Sequence, residues 1–453
     1  MSLLPGRPLG LAVLLGMMGP PMLAAQEPLT LAQAFRRADS AAFANRIAAG
    51  DARVSGAQAT AALQGILPTV RAVAGYVRSN DPLAAFGFTL QQRGVTLESF
   101  NPAGLNYPAA VTNWNGGFVA EVPLINVDAW YGRAAASSAA AAAGASTLWT
   151  REATRVDVVR AYFGAILATE QATTLVAAAE AAHAHVRQAQ SMVTNGMATR
   201  SDALLAAVQA GQVDAQVIGA NGEARLARTR LAMLLGQPRD TIFALPDSLP
   251  SAAALHALPG AAQPDSASAR LDVTAARLGV EAARRGVRRA NAKYLPRING
   301  FGRYDWNSPD QPFGGQGSYT VGIMASWSPF SGASEIAARQ EARGRAEAAN
   351  AGAQAAEAAA QVERQATATW HEVALARLDI AETAVIQAAE AHRIVARKYA
   401  GGLATVAELL SAAAVETQAR LALSDSRYQV IVTDAAARQA SGQDLMALTA
   451  LEN

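Results

Sequence analysis

Five histidines, no cysteine and an even mix of carboxylates and basic side chains are the chemical material this chain offers. His183, His185, His256, His371 and His392 are scattered along it. His183 and His185 stand two apart, so on a helix they do not face one another, and they read as solvated or packed side chains rather than metal ligands. The lack of cysteine excludes disulfides, thiolate metal sites, a cysteine nucleophile and a lipid-modified N-terminal cysteine. Gly314-Gly315-Gln316-Gly317 has no helix after it to form a phosphate cradle, and no Walker-type loop occurs. No Ser/His/Asp constellation can be placed near a turn. The residues therefore predict no catalysis, no cofactor and no metal. Asp202 and Glu408 stand out for another reason: each falls in the first turn of a helix, where the helix dipole favours an acid.

The elements that carry those two acids occur twice. A turn at Asn195-Gly196-Met197-Ala198-Thr199 is echoed at Gly401-Gly402-Leu403-Ala404-Thr405, and Gly402 lies 206 positions after Gly196. Each turn joins two long alanine-rich helices, and each helix pair is preceded by two strand-like segments. An internal repeat of this kind decides the architecture before any single motif does. The first repeat spans 26–236, with a β-hairpin at about 69–122 and a helix pair at about 130–236. The second spans 269–442, with a hairpin at about 297–327 and a helix pair at about 333–442. Between them, 237–268 carries Pro238, Pro246, Pro250, Pro259 and Pro264 and reads as a linker; 443–453 is a C-terminal tail. The helical parts keep one register, whereas the first hairpin loop is longer by about 22 residues.

Composition agrees with long helices. Of 453 residues, 51% are apolar, much of that alanine, and only 6% are aromatic. Alanine is the best helix former and lets helices approach closely, but it cannot fill a deep globular core. About 65 residues from Trp130 to Thr194 without proline would make a rod of about 100 Å. The net charge of +2, with no basic strip interleaved by aromatics, gives nucleic-acid binding no support.

Residues 1–25 have the form of a secretory signal peptide: Arg7, an apolar stretch Leu9–Met18, and Leu23-Ala24-Ala25 at the cleavage site. The alternative, an N-terminal membrane anchor, is opposed by the short apolar run and its Gly and Pro breaks. No later segment has about 20 consecutive strongly apolar residues, so no transmembrane helix is expected in the mature chain. Export then points to the periplasm or an outer membrane.

The strand segments have their own periodicity. A helical pattern with one or two breaks around Gly50 runs to Leu67-Pro68, and Thr69–Val77 follows it. Arg78 to Asn113 is a long segment rich in Asn, Pro, Gly and aromatics, and Gly116–Val122 is expected to end at Pro123. Arg297–Trp306 follows Leu295-Pro296. In Ser318–Trp327, Tyr319, Val321, Ile323, Ala325 and Trp327 alternate with Ser318, Thr320, Gly322, Met324 and Ser326. Strands of this length, apolar on one side and aromatic at the ends, suit a tilted membrane-spanning strand. The alternative is a small soluble sheet capping a helical bundle. Four strands cannot close a barrel, and open edges are not tolerated in lipid. Membrane hairpins would therefore require several copies to share one barrel, and three copies give 12 strands.

Over essentially the whole mature chain, the sequence resembles the TolC family of outer-membrane efflux proteins. The resemblance is carried by Leu29-Thr30-Leu31-Ala32-Gln33-Ala34, the Leu-Pro before each hairpin, the two Gly-x-Ala-Thr turns and the ending Gly442-Gln443-Asp444-Leu445-Met446-Ala447-Leu448. It also rests on Phe86-Gly87 and Leu105-Asn106-Tyr107-Pro108 in the first loop. It implies a mainly α protomer with two β-hairpins, a homotrimer sharing a 12-stranded barrel in outer-membrane lipid, and a helical tunnel through the periplasm. The tunnel tip would dock on a periplasmic membrane-fusion adaptor that connects to an inner-membrane transporter. By that resemblance Gly196, Met197, Ala198 and Thr199, with Gly402, Leu403, Ala404 and Thr405, form the docking surface. Asp202 and Tyr399 match a polar latch that closes the tip, and Glu408 matches an acidic ring that narrows the pore. Ala404 stands where an arginine often joins the latch, and Ser411 where a second acid can occur. The same family also serves protein secretion of type I. A soluble periplasmic coiled-coil scaffold is the reading from a different class.

Overall fold

The computed structural model describes residues 29–238, 241, 243–258 and 270–452. The expected signal peptide and part of the expected linker lie outside them. The chain opens with α1 (Leu31–Ala41), started at Thr30 by a capping box with Gln33. α2 (Phe43–Ala61) follows. The break between them is at Ala42, with an extended backbone (φ −57°, ψ 131°), whereas sequence periodicity placed it near Gly50. Gly50 lies inside α2, because one helical glycine costs only about 1 kcal/mol relative to alanine and need not end a helix.

Strand β1 (Thr69–Ser79) is followed by α3 (Pro82–Gln91) and α4 (Pro102–Asn106), two helices within a segment that reads from sequence only as a long polar and aromatic loop. Asp81 and Asn101 cap them, with Pro at the first helical position of each. β2 (Val111–Ile125) runs longer than the alternation suggested. Pro123 does not end it. The strand passes the proline through a register shift between Pro123 and Ile125, and such irregularities are where a sheet tolerates a missing N–H.

From β2 the chain enters α5 (Val127–Thr194), turns, and returns as α6 (Arg200–Leu234). A short helix α7 (Ala252–His256) precedes α8 (Leu271–Ala292). Strands β3 (Arg297–Ser308) and β4 (Gln316–Ser326) follow, then α9 (Ser334–Ala400) and α10 (Val406–Ala440). At 68 and 67 residues, α5 and α9 are each about 100 Å long. α6 packs along α5 and α10 along α9, while α8 lies against both α5 and α9. The four strands form one antiparallel sheet in the order β1-β2-β3-β4, so β2 and β3 join the two hairpins and β1 and β4 are open edges.

The main core sits where the helix pairs meet the N-terminal helix, the inter-repeat segment and the C-terminal tail. Leu31, Phe35, Val159, Tyr162, Phe163, Ile166, Leu231, Leu378 and Ile431 are fully buried there. Leu249, Ala252 and Leu255 join this core, so the described part of the inter-repeat segment is a packed element rather than a free connector. Glu170 pins it: its carboxylate accepts from the Leu249 N–H at 2.8 Å, Ser424 Oγ at 2.6 Å and Arg427 at 2.9 Å. The tail is anchored by Leu445 and Leu448, and Glu452 Oε1 accepts from the Leu31 N–H at 2.6 Å and the Tyr162 hydroxyl at 2.5 Å. Burial and the Glu452 carboxylate push the Tyr162 phenol far above its usual range, so it remains a neutral donor. Tyr162→Phe leaves that carboxylate and the Leu29 carbonyl without this donor and is expected to cost about 1–3 kcal/mol, read as a lower urea midpoint in detergent.

Candidate functional site

The two tip turns are built alike. Gly196 and Gly402 both have φ +72°, the left-handed conformation that suits glycine. In the first, the Met197 N–H reaches back to the Met192 carbonyl at 2.8 Å and the Gly196 N–H to Val193 at 3.0 Å. In the second, Leu403 bonds to Lys398 at 2.8 Å and Gly402 to Tyr399 at 3.0 Å. These paired bonds are the Schellman pattern, which satisfies the last carbonyls of a helix. They push Met197 and Leu403 outward, 63% and 82% exposed. Ala198 and Ala404 are half-buried and pack onto the tip core.

Thr199 and Thr405 then start the return helices with matching capping boxes. The Asp202 carboxylate accepts from the Thr199 N–H at 2.9 Å and its hydroxyl at 2.8 Å. Glu408 accepts from the Thr405 N–H at 2.7 Å and its hydroxyl at 3.0 Å. Bonds from the Thr199 backbone and side chain hold the Asp202 carboxyl below its usual pKa, and those from Thr405 do the same for Glu408. Both acids thus have a local cap role that sequence reasoning reduced to helix-dipole preference; the Thr-x-x-Asp and Thr-x-x-Glu spacing was the available signal.

Tyr399 is 3% exposed and lies in a small core with Ala189, Met192, Ala206, Val406, Leu409 and Leu410. Its hydroxyl is buried without a hydrogen-bond partner. Burial first, and the Asp202 charge second, raise its pKa. The chain thus brings Tyr399 and Asp202 within electrostatic reach but forms no hydrogen bond between them in this protomer.

Farther up the helices the structure gathers residues that look unrelated in sequence. His183 bonds to Asp214 at 3.1 Å, and His256 to Asp379 at 2.9 Å. His371 is 3.3 Å from the Thr433 hydroxyl. His185 and His392, from different repeats, meet edge to face with ring centroids 5.6 Å apart. The sequence carried no signal for this last pair, which meets only because helices of the two repeats pack together.

At the other end, pairing sorts the sheet into two faces. Residues directly opposite in an antiparallel ladder share a face. Val70, Ala72 and Tyr76 of β1 thereby join Trp114, Phe118, Ala120 and Val122 of β2. The same face continues through Ile298, Tyr304 and Trp306 of β3 to Tyr319, Val321, Ile323 and Ala325 of β4. The reverse face carries Arg71, Asn113, Asn115, Glu121, Arg297, Asn299, Arg303, Asp305 and Asn307. Polar bonds knit it: Asn113 Nδ2 donates to Asn307 Oδ1 at 2.8 Å, Asn299 Nδ2 to Glu121 at 2.9 Å, and Arg297 pairs with Asp128. Aromatic rings cluster at one end of the apolar face, where Phe118, Trp306 and Phe313 lie 5.8–6.2 Å apart. At the other end Trp327 Nε1 donates to the Tyr294 carbonyl at 3.1 Å.

An open sheet with one apolar and one polar face is thus carried on two helical pairs, the longer helix of each about 100 Å long. Residues 264–443 match the family model of the outer membrane efflux protein. The fold is similar to that of the outer membrane protein VceC from Vibrio cholerae, at 21% identity and TM-score 0.75, over 91% of this chain and 96% of that one. It is also similar to the outer membrane channel CmeC of Campylobacter jejuni, at 15% identity and TM-score 0.74, over 91% and 85% of the two chains. The open-state outer membrane channel MtrE of Neisseria gonorrhoeae compares at 18% identity and TM-score 0.71, over 91% and 89%. Among curated protein sequences, none matches.

Proposed function

We propose that three copies of this chain form a passive efflux duct across the outer membrane and periplasm. The observation that carries this reading is the single apolar face running through all four strands, with open edges at β1 and β4. Such edges are not tolerated in lipid unless paired, and β4 of one copy against β1 of the next closes a 12-stranded barrel. The polar reverse face then lines the pore. No described helix is long and apolar enough to cross a membrane, so the sheet is the element proposed to do so. The test is the mass of the protein extracted from outer membranes in mild detergent. A trimer is expected; a monomer recovered in the soluble periplasm overturns the duct.

The tip residues take their roles within that reading. Gly196, Met197, Ala198, Thr199, Gly402, Leu403, Ala404 and Thr405 form the surface for a periplasmic adaptor, which links the duct to an inner-membrane transporter. The outward apolar side chains of Met197 and Leu403 support this, since such residues anchor interfaces. Asp202, Tyr399 and Glu408 belong to the tip gate. The unpartnered Tyr399 hydroxyl leaves one half of the latch available, while Asp202 must exchange its Thr199 bonds to complete it. Combining Asp202→Asn with Tyr399→Phe is expected to raise the resting single-channel conductance in planar bilayers; an unchanged value removes the latch.

A further inference from the structure

His392 on α9 is held by Glu416 on α10, whose Oε2 lies 2.7 Å from Nδ1. An ionised carboxylate only accepts, so Nδ1 is the donor in this bond and Nε2 is the ring atom left to face a ligand. That Nε2 is buried and has no hydrogen-bond partner, and the Nε2 of His185 on α5 is in the same condition. The two rings touch, with centroids 5.6 Å apart. Two buried imidazole nitrogens without partners, on adjoining rings, cost free energy unless a ligand satisfies them.

Three features select the occupant. A histidine whose far nitrogen is tied to a carboxylate is the outer arrangement that orients metal-ligating imidazoles. The second ligand comes from His185, whose ring meets that of His392 at a centroid distance of 5.6 Å. Both histidines and Glu416 border a cavity of about 1170 Å³ lined by α5, α6, α9 and α10, which brings solvent up to these three residues. Imidazole suits the zinc, copper and nickel class of cations rather than magnesium or calcium. We propose that His185 Nε2 and His392 Nε2 bind one divalent cation of the zinc class, with Glu416 as a positioning residue and water completing the coordination.

The His256, Asp379 and Glu382 group makes an instructive contrast. Its donor atoms lie within 4.8 Å of one another, but all three residues are exposed and His256 already pairs with Asp379 at 2.9 Å. None of their polar atoms is buried without a partner. At His185 and His392 a cation would tie the first repeat to the second roughly 15 Å above the turns, ten helical residues from Asn195. A bound cation would therefore hold the helix pairs together near the tip. That consequence rests on the duct reading; binding itself does not.

The experiment is calorimetric titration of Zn²⁺ into the full-length detergent-purified protein, freed of any polyhistidine tag. One Zn²⁺ per chain is expected. His185→Ala and His392→Ala should each weaken binding at least tenfold and Glu416→Gln about tenfold, while His256→Ala leaves it unchanged. His185→Gln, scored beside circular dichroism and oligomer mass, separates lost ligation from lost folding. No binding by the wild type, equal binding by the His185 and His392 variants, or loss confined to His256→Ala overturns the site.

Discussion

Ile323→Arg should remove the protein from the outer membrane, whereas Met324→Arg, one residue along the same strand, should leave it there. Ile323 is 73% exposed in one protomer and lies on the apolar face, opposite Gly300 in β3. It stands between the level of Trp306, which pairs with Gly317, and that of Trp327, so in a barrel it sits near mid-bilayer. An arginine on the lipid face at that depth costs about 2–4 kcal/mol per chain, incurred three times in a trimer. Met324 points the other way, opposite Asn299 on the polar face, where a guanidinium meets water and polar neighbours. The measurement is the amount of trimer in outer-membrane fractions, with urea unfolding in liposomes for what does insert. Equal loss in both variants would show that the sheet is not embedded as assigned; equal tolerance would show that it is not in lipid.

Gly402→Val is expected to leave trimers intact and reduce efflux at least tenfold. A side chain at Gly402 meets nothing within 4 Å, so no packing is lost inside the protomer, and the same holds at Gly196. What changes is the backbone. At φ +72° a β-branched residue is strained by about 1–2 kcal/mol, and relief requires the turn to rearrange and Leu403 to move. The new bulk also projects into the space a docked adaptor would fill. Gly401→Ala is the control, because Gly401 has φ −87° and an added Cβ there makes only ordinary contacts at 3.6 Å. Efflux measured by accumulation of a fluorescent dye should fall for Gly402→Val and hold for Gly401→Ala. Normal efflux by both Gly196→Val and Gly402→Val would place adaptor docking elsewhere.

Several elements were legible without coordinates because each is set by neighbours in the chain. Alanine-rich, proline-free stretches form long helices, and a glycine followed by Ala-Thr ends one helix and caps the next. The clean alternation from Tyr319 to Ala325 describes β4 because side chains alternate faces with a period of two. Where local signals competed, the reading erred. Pro123 looked like a strand end and is passed by an irregular register; Gly50 looked like a helix break, yet the break is at Ala42, buried against the core. The helices α3 and α4 hid in a segment rich in Asn, Gly and Pro because their caps and prolines resemble loop residues.

By itself, then, the sequence determined the duplication, the long helix pairs, the glycine turns and the two-faced character of individual strands, all of them properties of residues close together in the chain. Only the tertiary structure decided which strands pair, and so that four partial alternations become one continuous apolar face. It alone brought His185 against His392 across two repeats and left the Tyr399 hydroxyl buried without a partner. The physical reason is that side-chain direction and secondary structure follow short-range sterics, whereas register, burial and the satisfaction of polar atoms depend on what distant segments bring to the same place.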